Sequence, residues 1–111
     1  MMDIDFQMKG NALVASVHGR VDTGNASVFE KKLVEELNQE EKWLVFDLSG
    51  LEYISSAGLR VLLSTAKIMK SKGGDIRLAA TQGPVKKVFQ ISGFFSLFKH
   101  FDTTDAALEN L

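Results

Sequence analysis

Ile4, Phe6 and Met8 alternate with polar neighbours, the period of a strand with one buried face. Gly10-Asn11 supplies turn residues, and Ala12 to His18 resumes the alternation with Leu13, Ala15 and Val17 on one side. The two runs predict a β-hairpin. Gly19-Arg20-Val21-Asp22-Thr23-Gly24 then predicts a loop or a short extended piece, with Asp22 or Thr23 expected to cap the next helix. There the period changes. Ala26, Phe29, Leu33, Val34 and Leu37 recur at helical spacing, and Glu30, Lys31, Glu35 and Glu36 occupy the other face.

Trp43-Leu44-Val45-Phe46 is apolar at both parities, the mark of a strand covered on both sides. From Gly58-Leu59 to Met69 the helical period returns, with Leu59, Leu62, Leu63, Ala66 and Met69 on the core face and Lys70 to Gly74 closing it. Ile76 to Ala80 predicts a further strand. Pro84 suits the first turn of a short helix with Val85, Val88 and Phe89 inward and Gly93 at its end. The stretch from Phe95 to Phe101 includes a last strand. Thr103 or Thr104 then caps a C-terminal helix containing Ala106, Ala107, Leu108 and Leu111. Strands alternating with helices imply right-handed crossovers between parallel neighbours, and the opening hairpin makes the sheet mixed. The expected fold is α/β, with about four helices.

The length of 111 residues suits one domain, residues 1–111. The net charge of −1 gives no electrostatic reason to expect a nucleic-acid or membrane-surface partner. With no cysteine there is neither a disulfide nor a thiolate metal site. Met1-Met2-Asp3-Ile4-Asp5 lacks the basic and apolar regions of a signal peptide, and no apolar run approaches the roughly 20 residues that span a bilayer. The expectation is a cytoplasmic domain.

Candidate chemistry concentrates in one place. Asp47-Leu48-Ser49-Gly50-Leu51-Glu52-Tyr53-Ile54 leads from a strand through a turn into Ser55-Ser56-Ala57-Gly58-Leu59, so two serines stand where a helix begins. Serine is a favoured cap there. A hydroxyl at that position also faces free amides and the positive end of the helix dipole, where a phosphate is accommodated. A serine hydrolase is the enzyme alternative, but its Gly-x-Ser-x-Gly elbow is half present: Gly58 follows Ser56, while Ile54 precedes it. His18 and His100 read as structural or solvated side chains, and their spacing from the carboxylates is not that of a metal site. Gly73-Gly74 reads as a turn, since it lacks the lysine and spacing of a phosphate loop. Lys67, Lys70, Lys72, Lys86 and Lys87 read as solvated helix faces, and Phe94, Phe95, Phe98 and Phe101 as cover for the core and sheet edge.

The element order and the central motif together resemble the STAS-domain anti-sigma-factor antagonists of bacteria, over nearly the whole chain. Asp47-Leu48-Ser49-Gly50-Leu51 followed by Tyr53-Ile54-Ser55-Ser56-Ala57-Gly58-Leu59 carries the resemblance. Gly19-Arg20-Val21-Asp22, Gly73-Gly74, Val88-Phe89 and Ser92-Gly93 fit the same pattern. The resemblance implies a single STAS-like domain that is not an enzyme and takes no cofactor. It implies that Ser56 is the phosphoacceptor, with Ser55 as the alternative because it stands where many members have aspartate. It further implies that the unmodified protein binds an anti-sigma factor that is also a serine kinase of the GHKL type. Binding frees the sigma factor, phosphorylation ends the binding, and a PP2C-type phosphatase restores it. The expected contact face comprises Asp22, Thr23, Ser55, Ser56, Gly58, Leu59 and Arg60, on a monomer or weak dimer. Some STAS domains are instead non-phosphorylated scaffolds or transporter-associated subunits, which is the alternative reading.

Overall fold

The computed structural model describes residues 1–37 and 40–111. In chain order it contains β1 (Met2–Lys9), β2 (Ala12–Val21), α1 (Ala26–Glu36), β3 (Trp43–Ile54), α2 (Ser56–Ser71), β4 (Asp75–Ala79), α3 (Gly83–Ile91), α4 (Phe94–Leu97), β5 (Lys99–Phe101) and α5 (Thr104–Ala107). The strands lie in the order β1-β2-β3-β4-β5, with β1 and β2 antiparallel and every later pair parallel. Each crossover therefore steps one strand in the same direction. Right-handed crossovers then deliver successive helices to one face of the sheet.

That face holds the main core. Leu13, Ala15 and Val17 of β2, Leu44, Phe46 and Leu48 of β3, and Ile76 and Leu78 of β4 pack against Phe29 and Leu33 of α1, Leu62, Ala66 and Met69 of α2, and Val85 and Phe89 of α3. The register joins these positions in rows: Leu13 lies beside Leu44 and Leu44 beside Ile76, and Ala15 beside Phe46 and Phe46 beside Leu78. Phe94 and Phe98 extend this core around Phe89, with ring centroids 5.7 and 5.8 Å apart in successive pairs. On α2, Leu59 and Leu63 are only partly buried, and Val61 and Thr65 join the buried face instead.

The opposite face has a smaller core of Ala12, Val14, Val45, Ala79 and Ala107, flanked by Trp43, Phe101, Leu108 and Leu111. The double-sided apolar character of Trp43 to Phe46 thus has two separate causes, one core per parity. Arg77 is buried among these residues. Its guanidinium lies over the Trp43 ring at 4.7 Å and the Phe101 ring at 5.2 Å, and its Nη1 donates to the carbonyls of Ala107 and Glu109 at 3.0 and 3.1 Å. An arginine in a short apolar strand thereby holds the C-terminal turn to the sheet.

Several boundaries differ from the sequence expectation. β2 runs on to Val21, because parallel pairing with β3 continues through Gly19↔Leu51, Arg20↔Tyr53 and Val21↔Ile54, with register shifts between Ser16 and His18 and between Gly19 and Arg20. β3 likewise reaches Ile54. The stretch from Phe94 to Leu97 is a helical turn, so only Lys99–Phe101 forms the last strand. The helices number five among the described residues, the extra one being this turn. The cap of α1 is Asn25, not Asp22 or Thr23. The Asp22 and Asn25 side chains each accept from the other's amide, at 3.0 and 2.9 Å, and so close the loop ahead of the helix. Thr103 caps α5, its hydroxyl accepting from the Ala106 amide at 3.1 Å.

Arg77→Ala removes two cation–π contacts and two hydrogen bonds to carbonyls. It should cost about 2–3 kcal/mol in denaturant unfolding. Hydrogen exchange should show residues 104–108 losing protection before the main core does.

Candidate functional site

The C-terminal ends of β2 and β3 lie side by side, and α2 starts directly from the end of β3. Ser55 joins the two strands to the helix. Its amide donates to the carbonyl of Val21 at 2.8 Å, and its hydroxyl accepts from the Gly58 amide at 3.2 Å. Its carbonyl takes the Leu59 amide at 3.0 Å, the first turn of α2. Ser55 is extended at φ −86° and ψ 171°, the conformation of a capping residue. It is 8% exposed.

Gly58 is buried directly beneath this cap. A Cβ there would meet Ile54 Cγ1 at 2.7 Å and Val21 Cγ1 at 2.8 Å. The close approach that glycine permits is thus to the ends of its own β2 and β3. Leu59 packs partly against the main core.

Ser56, the first residue of α2, is exposed and takes part in no hydrogen bond through its hydroxyl among the described residues. The amides of Ser56 and Ala57 also have no backbone partner, since a helix leaves its first amides free. The two serines are therefore in opposite situations. Ser55 holds the helix start together and Ser56 stands in front of it.

Beside Ser56 a shallow groove runs between α1 and α2. Thr23, Ser27 and Glu30 form one wall, and Ala57, Arg60 and Ser64 the other. Ser64 Oγ, at 3.0 Å from Glu30 Oε2 and 2.9 Å from the Arg60 carbonyl, links the two helices. Arg60 is exposed, and its guanidinium has no ion pair or hydrogen bond among the described residues. On the other flank, the Arg20 guanidinium lies over the Tyr53 ring at 4.4 Å.

The structure thus brings Thr23 and Arg60 to one groove, leaves Ser56 exposed next to the groove residue Ala57, places Asp22 one residue beyond the Val21 carbonyl that holds Ser55, and buries Ser55 and Gly58. Ser27, Glu30 and Ser64 were not anticipated from the sequence. Glu30 and Ser64 are 34 positions apart, and only the packing of α1 beside α2 makes them neighbours. Two consecutive crossovers of the same hand were the signal available for that adjacency.

The histidines stand away from this surface. His18 belongs to the β2 parity opposite the helix-side core, with Nε2 3.5 Å from Asp5 Oδ2. His100 stacks on Phe95 at 3.9 Å, on the edge strand β5. Neither is placed to act as a base for Ser56. Among the described residues no three histidine, aspartate or glutamate side chains are grouped to hold a metal ion, and no helix is long and apolar enough to cross a membrane.

Comparison with known proteins extends this picture. BtrV of Bordetella bronchiseptica, whose name assigns it provisionally to the anti-sigma factor antagonists, is 40% identical over 95 residues, covering 86% of this chain and 82% of BtrV. An anti-sigma factor antagonist from Mycobacterium paratuberculosis superimposes with a TM-score of 0.86 at 25% identity, over 97% of this chain and 92% of that one. SpoIIAA of Bacillus has the same fold in its unphosphorylated form, with a TM-score of 0.81, 19% identity and coverage of 96% and 94%. Its phosphorylated form matches with a TM-score of 0.73, 18% identity and coverage of 96% and 97%. The STAS domain model matches residues 3–107, from the second residue of β1 to the end of α5, and the chain belongs to the STAS domain family.

Proposed function

We propose that this protein is an anti-sigma-factor antagonist that works by partner switching. In its unphosphorylated form it binds an anti-sigma factor that is also a serine kinase of the GHKL type, and the sigma factor is released. Phosphate on Ser56 ends the binding, and a PP2C-type phosphatase renews it. The setting is the cytoplasm. The kinase brings its own ATP, and the STAS domain is a regulatory fold with no catalysis of its own.

One observation carries this reading: of the two serines at the start of α2, Ser56 offers an exposed, unengaged hydroxyl, while Ser55 is buried and committed as the cap. The similarity to BtrV and to the mycobacterial antagonist supports the antagonist role. SpoIIAA, a protein of the same fold, exists in a phosphorylated form.

The physics of such a switch is electrostatic. A phosphoryl group adds about −1.5 to −2 charge and three acceptor oxygens. At the first position of α2 it faces free amides and the favourable end of the helix dipole, so the fold tolerates it. In a flush interface the same charge is desolvated and meets any carboxylate of the partner. A misplaced interfacial charge costs several kcal/mol, and each 1.4 kcal/mol is tenfold in affinity. Binding therefore changes by orders of magnitude with little movement of the backbone.

Mass spectrometry of peptides from protein isolated from its native host tests the site. Phosphate on Ser56 is the expected result; phosphate on Ser55 moves the site, and none under several growth conditions favours a constitutive scaffold. Binding to the purified anti-sigma factor tests the switch. Ser56→Ala should stay bound in the presence of ATP, and Ser56→Asp should bind at least tenfold more weakly. Equal affinity of the two variants defeats the reading. Ser55→Ala should behave differently from both: it loses about 0.5–2 kcal/mol of stability with its cap, yet it should still accept phosphate at Ser56.

A further inference from the structure

We infer that Arg60 is the intramolecular counter-ion of the phosphorylated state: it captures the Ser56 phosphate across one turn of α2 and is withdrawn from the partner-facing groove as it does so. The inference rests on Ser56 as the phosphoacceptor and adds to it a second arm of the switch.

Positions four apart on a helix are neighbours on its surface, with Cβ atoms roughly 5–6 Å apart. Ser56 and Arg60 have this spacing, and both are exposed. An anion on the N-terminal side and a cation four residues later is the favourable order for such a pair. Arginine presents a planar fork that matches phosphate oxygens.

Arg60 is free to respond. Its guanidinium is unengaged among the described residues, while the other cation near the strand ends, Arg20, is committed to the Tyr53 ring. Across the groove, Glu30 is its natural competitor, yet among the described residues the two form no ion pair. The elements that meet at the start of α2 also carry Asp22, in the loop after β2, and Glu52, two positions before the end of β3. All three carboxylates repel a phosphate dianion. Among the described residues Arg60 is the only cation lining the groove, so its reorientation leaves Glu30 as the charge that remains there. Phosphorylation then alters the surface twice, by the charge it adds and by the cation it removes.

Phosphoserine introduced at position 56 by genetic encoding tests this without any kinase, so its outcome is separate from whether the host modifies Ser56. The phosphate's second ionisation, followed by 31P NMR, is the readout. A nearby cation favours the dianion and lowers this pKa, so Arg60→Gln should raise it by about 0.3 pH unit. Arg60→Lys should recover part of the difference. Arg20→Gln should leave the value where it was, and the Arg60 effect should shrink at high salt. An unchanged titration in Arg60→Gln overturns the inference. So does an equal shift in Arg20→Gln, which would make the effect one of overall charge. Thermal unfolding of each variant checks that the fold is intact, as expected for exposed side chains.

Discussion

Ser55 is where three elements are tied at one residue. Its amide closes the last rung to β2 through the Val21 carbonyl, its carbonyl begins α2, and its hydroxyl satisfies the Gly58 amide. Parallel strands cannot be joined by a tight turn, so each one ends at the same edge of the sheet and hands the chain to a helix there. In this protein the handover from β3 to α2 takes no intervening residue beyond Ser55 itself. The start of α2 is consequently fixed relative to both β2 and β3, and the orientation of the next residue follows. Ser56 is exposed because Ser55 cannot turn out without giving up its capping bond.

The same economy constrains Gly58. A helix that starts directly on a strand end must bring its first turn against the strand, and here the gap to Ile54 and Val21 leaves no space for a side chain. The seat of the helix is therefore apolar and tight, while the groove between α1 and α2 is open and carries polar side chains around Ala26, Ala57 and Val61. Thr23, Ser27, Glu30, Arg60 and Ser64 line that groove without any of them being needed by the main core. Under the proposed function, binding falls to side chains that the main core does not need, on a frame that packing fixes.

How much of this was legible in the chain depends on the range of the interaction concerned. The alternation in Ile4 to Met8, the helical period from Ala26 to Leu37 and the double parity of Trp43 to Phe46 are local or nearly so, and each appears as an element of the expected kind. At Arg20 and Val21 the chain left a loop and a short extended piece as alternatives, because the choice depends on pairing with Tyr53 and Ile54 of a distant strand. The cap position of α1 falls at Asn25 and not at Asp22 for a similar reason: each of the two side chains accepts from the other's amide, so both close the loop and neither side chain caps the helix. The last strand lies within Phe95 to Phe101 as expected, but the helical turn at Phe94 to Leu97, whose Phe94 and Phe95 pack on Phe89, had no local signal. At the site, the serine pair and Gly58 are contiguous and could be read directly. The Glu30–Ser64 bridge could not, since no local pattern records which helix faces which. Arg77 is the extreme case. Its charge suggests a surface residue, and only the aromatic rings of Trp43 and Phe101, together with two carbonyls near the chain end, explain its burial.

A site of this construction suits reversible chemical modification better than conformational transmission. Moving α2 relative to the sheet would open the contacts of Gly58 with Val21 and Ile54 and break the Ser55 cap, a cost borne by the core as a whole. Changing the charge at Ser56 disturbs none of these, since the hydroxyl has no partner to lose. The free energy of modification is then expressed almost entirely at the surface, as altered affinity for whatever docks there. With Ser56 as the proposed phosphoacceptor, the rigid seat keeps the phosphate in a fixed position relative to the groove, and a fixed charge discriminates between bound and unbound states more sharply than a mobile one that relaxes away from the interface. Tight packing under Ser56 and open polarity around it are in this sense one arrangement: the first holds the charge in place, and the second determines what the charge repels.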